Sequence, residues 1–586
     1  MSYENYNPRA ALLAQARDLL TRAAQAAMAD GSLPEAELPG FIVEIPADPK
    51  NGDVASNLAM AGARAFRKAP RMIAEAITAH LPELTGTNFD RVEIAGPGFI
   101  NIRLSDAVLQ GVVREVREEG DNFGRGTIPE GERYVNLEYV SANPTGPFHV
   151  GHGRWASLGD AMARVMRHGG YDVYEEYYIN DHGNQMDVFG NSVNVRYQQL
   201  LGRDVEMPEA CYGGAYVKDI AQDIIDRDGD KWLSVSDEER VEAFREMAYD
   251  MTLKNQREVL ANFGTTFDKW FSERSLYVED ENGESAVSRS LDAMREKGYL
   301  YEKDGALWFR STDLGDDKDR VLIKGDGEAT YFMSDVAYHY DKMMRGFDHL
   351  IDLWGADHHG YIKRCECMLE AWGWPGALEV QLGQLVNLFR DGKAVRMSKR
   401  TGVMVTFEEL IDEVGVDATR YLMLSRSADQ PIDFDIEVAK KKDASNPVYY
   451  VQYAHARICS ILRKAADEAD AAAVEAGEMT MGELAEKIIP EDCDLTPLTH
   501  PSELALMRKM ADFGNLIALA ARDRAPFRLT HYAQDLASLF HQFYTNCHVL
   551  TDDADVQTAR LALCDATRIV LALTLNLLGV SAPVKM

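Results

Sequence analysis

Three patterns in this 586-residue sequence predict a fold that is α/β over most of the chain and all-α at its C-terminal end. From residue 134 to about 390, apolar strand-like runs alternate with helix-like runs, which is typical of βαβ units around a parallel sheet. A smaller α/β pattern precedes this region. After residue 406 the apolar residues recur almost only at helical spacing, which indicates a helix bundle.

Residues 1–118 are predicted to form an N-terminal α/β add-on module. Its expected elements are an amphipathic helix over 8–30, strands over 41–45 and 92–104, and helices between 54 and 80. The following segment, 119–133, is rich in Gly, Asp and Glu and is typical of a linker.

Residues 132–405 are predicted to form a doubly wound, Rossmann-like domain in two halves. The first half has strands over 134–140 and 172–178 around a helix over 153–167. The second half has helices over 333–344 and 361–373 and strands over 349–354 and 378–389. A largely helical and irregular insertion, about 190–328, separates the halves. Ligands of such a domain bind at the carboxyl ends of its strands.

Residues 406–586 are predicted to be a helix bundle. Its helices are expected over 446–465, 502–522, 530–549 and 556–579. The connection 465–494 carries ten acids and one lysine, so we expect a solvated, mobile loop there.

Composition limits the function classes. No window approaches about 18 consecutive apolar residues and no secretory signal is recognisable, so we expect a cytoplasmic protein without a membrane span. The seven scattered cysteines fit reduced thiols. Cys365 and Cys367 lie near two histidines, but they point to different helix faces and no second pair follows, so no zinc site is expected. The net charge of −32 repels polyanions on average, so RNA binding would need local basic patches.

Two motifs indicate chemistry. The first is Asn143-Pro-Thr-Gly-Pro-Phe-His-Val-Gly-His152, a loop between a strand and a helix N-terminus. Unpaired helix N–H groups and two imidazoles suit phosphate oxygens, and Gly151 permits close approach. Alone, the two histidines also fit a metal pair or a satisfied turn. We call His149–His152 the HVGH motif.

The second motif lies in the basic loop Phe389-Arg-Asp-Gly-Lys-Ala-Val-Arg-Met-Ser-Lys-Arg-Thr-Gly402. Arg396, Lys399 and Arg400 suit phosphates, with Ser398 as a hydrogen-bond partner. Alone, this loop also fits a solvated basic turn. We call residues 396–400 the RMSKR motif.

Together and in this order, the HVGH and RMSKR motifs resemble the two signatures of class I aminoacyl-tRNA synthetases. Longer runs resemble arginyl-tRNA synthetases specifically, and they span essentially the whole chain. These runs are residues 51–57, 96–101, 137–152, 354–361, 416–421 and 580–586. The resemblance implies an N-terminal module that touches the tRNA elbow and a C-terminal anticodon-binding domain.

The resemblance also implies an activity. Such an enzyme ligates L-arginine to tRNA(Arg) through arginyl-adenylate, formed from ATP with Mg²⁺, and it needs no general base and no dedicated protein metal site. The family commonly requires bound tRNA before it activates arginine. We expect no editing domain, because a site built for a guanidinium rejects analogues that leave its carboxylates unpaired. The expected partners exclude DNA and membranes, and the protein is expected to be a monomer.

The resemblance assigns residues to arginine. Glu138, Tyr331 and Asp335 would read its side chain, and Asn143 and His358 would hold the amino acid. Independently, carboxylates are needed to take a planar guanidinium, and an acid in an apolar strand is costly unless a cation pairs with it. Each acid also fits an N-cap or an internal salt bridge. Asp357, at the end of a strand near the presumed switch point, fits either a contact with the ligand or a helix cap.

For ATP, the resemblance assigns His149, Gly151 and His152 to the phosphates and adenosine. Lys399 would steady the pyrophosphate, with Arg396, Met397 and Ser398 beside it. The chain departs from the family at Arg396, where the family signature has lysine, so the compact ammonium is lost there.

For tRNA, Phe99 and Asn101 match elbow-reading positions, and Phe99 also fits a core residue. The helical domain has basic spots at Lys440–Lys442, Arg457, Arg463 and Lys464. Its residues Tyr449, Tyr450 and Tyr453 fit either stacking on bases or filling the bundle.

Two other classes remain open at this point. A related adenylyltransferase without a tRNA partner would not need the helical C-terminal domain. A non-catalytic RNA-binding paralogue would have no reason to keep both the HVGH motif and Lys399.

Overall fold

The computed structural model describes residues 8–46, 49–395 and 405–586. The N-terminal module is a four-stranded antiparallel sheet, in the order β1-β2-β4-β3, with helices packed against it. Its elements are α1 (Pro8–Ala29), β1 (Val43–Glu44), β2 (Val54–Ser56), α2 (Leu58–Ala61), α3 (Ala63–Phe66), α4 (Pro70–Ala79), β3 (Phe89–Ala95), β4 (Phe99–Leu104) and α5 (Asp106–Glu119). The helix predicted over 8–30 is confirmed as α1. The single strand predicted over 92–104 is a hairpin, because Gly96 and Gly98 adopt φ of 52° and 140° and turn the chain.

The central domain follows in the same chain order. Its elements up to the end of the insertion are β5 (Tyr134–Glu138), α6 (Val150–His168), β6 (Asp172–Ile179), α7 (Asn184–Leu200), α8 (Ala215–Asp228), α9 (Asp237–Asn262), β7 (Lys269–Ser272), α10 (Ala286–Glu296), β8 (Leu300–Lys303), β9 (Ala306–Phe309) and β10 (Arg320–Ile323). The second half contains α11 (Tyr331–Met344), β11 (His349–Gly355), α12 (Ile362–Trp372), β12 (Leu378–Gly383), β13 (Val386–Arg390) and β14 (Lys393–Ala394).

The central sheet is entirely parallel, with the strand order β12-β11-β5-β6-β7. The predicted α/β fold with a split Rossmann-like domain is therefore confirmed, and the strand order reverses between β5 and β11. One detail of the prediction was wrong. The edge strand β7 comes from the region interpreted only as insertion, because four residues are too short to stand out by periodicity.

The strand predicted over 378–389 is also two strands. It breaks at Gln384 and Leu385, after which β13 leaves the central sheet and pairs with β14 and β15 (Ile432–Asp435) in a second, three-stranded sheet. Two strands of this small sheet, β13 and β14, come directly before the RMSKR motif in the chain.

The C-terminal part is a helix bundle, as predicted. Besides β15, its elements are α13 (Phe407–Val414), α14 (Val416–Met423), α15 (Ile436–Ala439), α16 (Pro447–Ala465), α17 (Glu468–Ala476), α18 (Met481–Ile488), α19 (Pro501–Ala511), α20 (Phe513–Arg522), α21 (Phe527–Asn546) and α22 (Ala554–Leu577). The helix predicted over 502–522 is divided at Asp512.

The prediction of a solvated loop over 465–494 was wrong, because this segment contains α17 and α18. Asp467 and Thr480 cap the two helices through hydrogen bonds from Asp470 N–H and Glu483 N–H. Leu484 is fully buried in the bundle core. Acidic side chains on the outer face concealed an ordinary amphipathic pattern.

The three parts share one continuous apolar core, and α5 packs against α19 and α22 of the bundle. All seven cysteines are free thiols. Within the described ranges, no helix is both long and apolar enough to cross a membrane.

Candidate active site

The HVGH motif forms the N-terminus of α6. His149 is the N-cap residue, and its backbone N–H donates to Nδ1 of His152 at 3.1 Å. The two rings stack with their centroids 3.6 Å apart. Because Nδ1 of His152 accepts this bond, its proton must sit on Nε2, which makes Nε2 a donor. A Cβ on Gly151 would lie 2.9 Å from Cε1 of His149, so a larger residue there would displace the His149 ring.

The entry loop, residues 139–148, joins β5 to the HVGH motif and has a strained backbone. Val140 and Ser141 adopt φ of 68° and 41°, a region that β-branched residues rarely enter. Ser141 Oγ donates to Glu138 at 2.9 Å and accepts from Tyr178 N–H at 3.1 Å. Asn143, two residues after Ser141, is exposed to solvent.

The chain that follows the RMSKR motif returns to the HVGH motif. Thr406 forms a β-bridge with His149, and Phe407 N–H donates to the Phe148 carbonyl at 2.9 Å. Val150 shares a small apolar cluster with Val395 and Val405. The described ends on both sides of the motif therefore pack against the start of α6.

The RMSKR motif itself lies outside the described residues. The predictions for Arg396, Met397, Ser398 and Lys399 are untested for that reason.

A row of three acids crosses the central sheet close to its carboxyl edge. Asp352 of β11 pairs in register with Glu138 of β5, and Glu138 pairs with Glu176 of β6. All three are buried. We call Asp352, Glu138 and Glu176 the acid row.

Cations from α11 and its C-cap residue neutralise the acid row. Lys342 Nζ donates to Glu138 at 2.7 Å and to Asp352 at 2.8 Å. Arg345 donates to both oxygens of Glu176, at 2.6 and 2.8 Å. Of the two possibilities left open for Glu138, the structure therefore supplies an internal salt bridge.

His339 completes this neutralisation. Its Nδ1 faces the Asp335 carbonyl at 2.8 Å and its Nε2 faces Asp352 at 3.0 Å, so both hydrogen bonds require a doubly protonated ring. Burial alone would raise the pKa of Asp352, but Lys342 and His339 lower it to about 2. Three cations then balance three carboxylates.

Asp335 is an acid near the acid row that these three cations do not neutralise. It lies on α11 near the row, and no described residue forms an ion pair or a hydrogen bond with its carboxylate. The pKa of Asp335 is raised to about 7, mainly by burial; the nearby Glu138, Glu273 and Asp352 carboxylates add to the rise and His339 opposes it. The pocket thus holds a carboxyl group whose charge is best stabilised by a cation that is not part of the protein.

The other predicted arginine residues are solvent-exposed. Tyr331, one turn before Asp335 on α11, is 84% exposed. His358 follows β11, with its ring 6.5 Å from Trp354 and 5.8 Å from Tyr361. Asp357 is also exposed, and its carboxylate lies 3.7 Å from His358 Nε2.

The sequence analysis missed Lys342, His339 and Asp352. A signal existed for Lys342, because it lies seven residues after Asp335 and so shares a helix face with it. Its burial within an otherwise amphipathic helix required a buried acid, and Glu138 was the unexplained one.

A second polar site lies on the C-terminal bundle. We call it the C-terminal groove, with a volume of about 750 Å³. Two acids, Glu468 and Glu475, belong to its lining, and its basic and aromatic residues are Tyr453, Arg457, Arg463, Lys464, Tyr544 and Lys585. The Arg457 guanidinium lies 4.9 Å from the Tyr453 ring and 5.0 Å from the Tyr544 ring, which holds it between two exposed aromatic faces.

The remaining predicted RNA residues differ in exposure. Phe99 is 39% exposed on β4, whereas Asn101 is only 5% exposed. Lys440 forms an ion pair with Glu413 at 3.1 Å. Tyr450 packs against His541, so it fills the bundle more than it faces a partner.

Three family descriptions match successive parts of the chain. "Arginyl tRNA synthetase N terminal domain" matches residues 14–104, and "tRNA synthetases class I (R), catalytic domain" matches residues 123–458. "DALR anticodon binding domain" matches residues 451–586.

Relatives that match over nearly their full length belong to the same family. The chain is 48% identical over 571 residues to an arginine–tRNA ligase of Syntrophotalea carbinolica, covering 97% of this chain and 99% of that protein. It is 46% identical to an arginine–tRNA ligase of Listeria monocytogenes, covering 97% and 98%. The Thermus thermophilus arginyl-tRNA synthetase structure, at 22% identity, has the same fold, with a TM-score of 0.68 over 97% of this chain and 100% of that one.

Proposed function

The chain belongs to the arginyl-tRNA synthetase family, and from that premise we propose which of its residues hold arginine, ATP and tRNA. The enzyme ligates arginine to tRNA and uses ATP to do so. Its class I catalytic domain is the region that contains the HVGH motif and the acid row.

Asp335 is proposed as the carboxylate that takes the guanidinium of arginine. The observation that carries this proposal is its lack of a described partner beside a row in which three cations balance three acids. A planar guanidinium offers five donors and a permanent charge, which suits such a carboxylate. Glu138 shapes the same pocket, with its charge shared between Lys342 and the incoming substrate.

The other arginine-binding residues complete the pocket after the substrate arrives. Tyr331 precedes Asp335 by one helical turn, so its exposed ring is available to cover the guanidinium. Asn143 on the entry loop and His358 after β11 lie at the carboxyl edge of neighbouring strands. We assign these two to the α-amino and carboxylate groups.

ATP is proposed to bind at the start of α6. His149, Gly151 and His152 supply imidazole and backbone N–H donors, and Arg396, Met397, Ser398 and Lys399 close the site from the second motif. A carboxylate oxygen of arginine attacks the α-phosphorus, and the bond from that phosphorus to the bridging oxygen of pyrophosphate breaks. A hydroxyl of the 3′-terminal ribose of tRNA then attacks the arginyl carbonyl, and AMP leaves.

These steps need positioning and charge stabilisation more than proton transfer. His149, His152 and Lys399 act on the phosphates, so they are the proposed catalytic residues. Mg²⁺ is proposed as part of the Mg²⁺–ATP substrate. Within the described ranges no group of three metal-ligating side chains fits it, and no step is assigned to it.

The tRNA is proposed to touch both ends of the chain. Phe99 would stack on a base at the tRNA elbow. Asn101 is proposed as the second elbow-reading residue by the family resemblance, although its side chain is buried on an inner strand of the sheet. The C-terminal groove would take the anticodon, with Arg457, Tyr453 and Tyr544 as its stacking and charged surface.

The remaining proposals concern organisation. We divide the chain into 1–118, 132–405 with an insertion over about 190–328, and 406–586. We propose a cytoplasmic monomer that binds neither DNA nor membranes, because its tRNA substrate and free thiols fit that compartment.

Pyrophosphate exchange into ATP tests the assignment, with each amino acid offered in the presence and absence of total tRNA. We expect exchange with arginine and only when tRNA is present. Exchange without an amino acid would indicate an adenylyltransferase of another kind, and no exchange under any condition would indicate a non-catalytic protein.

A further inference from the structure

Two buried polar side chains from outside the strained entry loop form hydrogen bonds with its backbone. Its left-handed residues, Val140 and Ser141, cost free energy and persist only where the surroundings over-determine the backbone. Groups outside the loop must therefore hold the segment that presents Asn143 in place.

Tyr177 of β6 is the first of these groups. It is fully buried, and its Oη lies 3.1 Å from the Ala142 nitrogen and 3.0 Å from the Ala142 carbonyl oxygen. Ala142 N–H donates to the hydroxyl, so the hydroxyl proton is available to an acceptor. Two acceptors lie within reach, the Ala142 carbonyl and Gln256 Oε1 at 3.3 Å.

Gln256 of α9 is the second group. It is 1% exposed, and its Nε2 donates to the carbonyls of Asn143 at 3.2 Å and Gly146 at 3.0 Å. Both amide protons are thus used on the loop, while its Oε1 faces Tyr177. One side chain therefore spans the residue before the loop's Pro-Thr-Gly turn and the glycine that ends it.

Gln256 is remote from the loop in sequence, because α9 belongs to the helical insertion. The helix has apolar anchors of its own, including Phe244, Leu253 and Leu260. Its contact with the loop is therefore a polar addition to an already packed helix.

We propose that Gln256 is a positioning residue for arginine. Its amide binds the backbone carbonyl of Asn143 and so fixes where Asn143 lies, and Tyr177 holds the neighbouring Ala142. The helical insertion is then a structural part of the amino-acid site. This inference rests on the proposed placing of arginine against Asn143. Gln256 touches no reacting atom, so its effect must appear in the arginine KM more than in the ATP KM.

The test replaces Gln256 with methionine, which keeps the length and removes the amide. Two buried carbonyls then lose their donors, and we expect the arginine KM to rise about ten-fold, which corresponds to about 1.4 kcal/mol. The ATP KM should change much less. Both constants come from steady-state aminoacylation with saturating tRNA.

The matched control is Gln198→Met in α7, which packs against α9. Gln198 is also buried, and its Nε2 donates to Asn194 Oδ1 at 3.2 Å and not to the entry loop. It should lower the thermal midpoint about as much as Gln256→Met and leave the arginine KM unchanged. Tyr177→Phe provides a second variant that removes only a hydroxyl, and it should also raise the arginine KM.

Asn143→Ala separates the two levels of the proposal. An unchanged arginine KM in Asn143→Ala would overturn the placing of Asn143 and this inference with it. A raised value there, with unchanged values in Gln256→Met and Tyr177→Phe, would overturn the positioning role alone. Equal rises in the arginine and ATP constants, or the same rise in Gln198→Met, would make the role of Gln256 merely structural. If Gln256→Met does not fold, Tyr177→Phe is judged by the same criteria.

Discussion

The proposed arginine pocket, around Asp335 and the acid row, and the C-terminal groove use charge in opposite ways. In the pocket, acids are buried, three of them are balanced by cations, and Asp335 is left over. In the groove, Arg457 is half-buried between aromatic rings, and Lys464 and Lys585 are exposed to solvent. The first arrangement suits one small cation of fixed shape, and the second suits a long, flexible polyanion.

The difference teaches that a net charge of −32 does not decide what either site binds. Charges in a low-dielectric interior interact strongly and are hardly screened, so the pocket depends on its individual pairs. Exposed charges act through a field that falls off within about 10 Å at ordinary salt. The groove can therefore attract RNA locally on a protein that repels it globally.

Removing a buried cation should have the largest effect. Lys342→Met leaves Glu138 and Asp352 without their shared ammonium, and we expect a loss of about 3–5 kcal/mol in the free energy of unfolding. Lys324→Met removes only the exposed pair with Glu328, which water screens, and should cost far less. Urea denaturation of both variants measures this contrast, and equal losses would remove the distinction between buried and exposed charge.

Removing the unpaired acid should change substrate binding more than folding. Asp335→Asn should raise the arginine KM roughly 10- to 100-fold, because a hydrogen-bonded charge contact contributes about 1.5–3 kcal/mol. The ATP KM should remain nearly constant. Equal effects on both substrates would exclude Asp335 from the guanidinium site.

The same variant should stabilise the ligand-free protein. The pKa of Asp335 in the folded protein, about 7, lies above its usual value of 3.8, so the wild type loses stability as the pH rises between these values. Asparagine carries no such charge. Thermal unfolding at about pH 8 should therefore show a higher midpoint for Asp335→Asn than for the wild type, and a lower one would contradict the raised pKa.

In the groove, a single cation should have a smaller effect. Arg457→Ala should weaken tRNA binding about ten-fold and reduce the slope of log affinity against log salt by about 1. Arg295→Ala removes an exposed arginine on α10 and should leave the slope unchanged. Filter binding over a salt series measures both, and an unchanged slope in Arg457→Ala would place the RNA elsewhere.

The smallest expected effect concerns the N-terminal module. Phe99→Ala should weaken tRNA binding about five-fold, at the lower end for loss of one stacked base. Thermal stability should change little, because the ring is partly exposed. A large loss of stability would make Phe99 a core residue.

Much of the fold could be predicted from periodicity. Long elements such as α1, α6 and α16 carry enough apolar repeats to be recognised from the sequence alone. Elements that are short, or whose apolar side chains stand among many acids, were not predicted. The strand β7 has four residues, and α17 and α18 hide their apolar side under many acids.

For the candidate site, the sequence predicts residues but not the ion pairs and hydrogen bonds that they form. The motif resemblance led to Glu138 and Asp335 as one group, because both are acids near the same sheet edge. Which acid has a partner depends on Lys342 and His339 meeting the sheet in three dimensions. Local sequence contains no information about that contact beyond the helical spacing of Lys342.

The central claim is that Asp335 takes the guanidinium, and proton release on arginine binding tests it most directly. At about pH 6.5 most Asp335 carboxyl groups are protonated, and a guanidinium favours the ionised form, so binding should release most of one proton and tighten as the pH rises toward 8. Calorimetric titration of arginine in buffers of different ionisation enthalpy measures this release. We expect it in the wild type and not in Asp335→Asn. The same proton release in both proteins, or none in the wild type, would contradict the account.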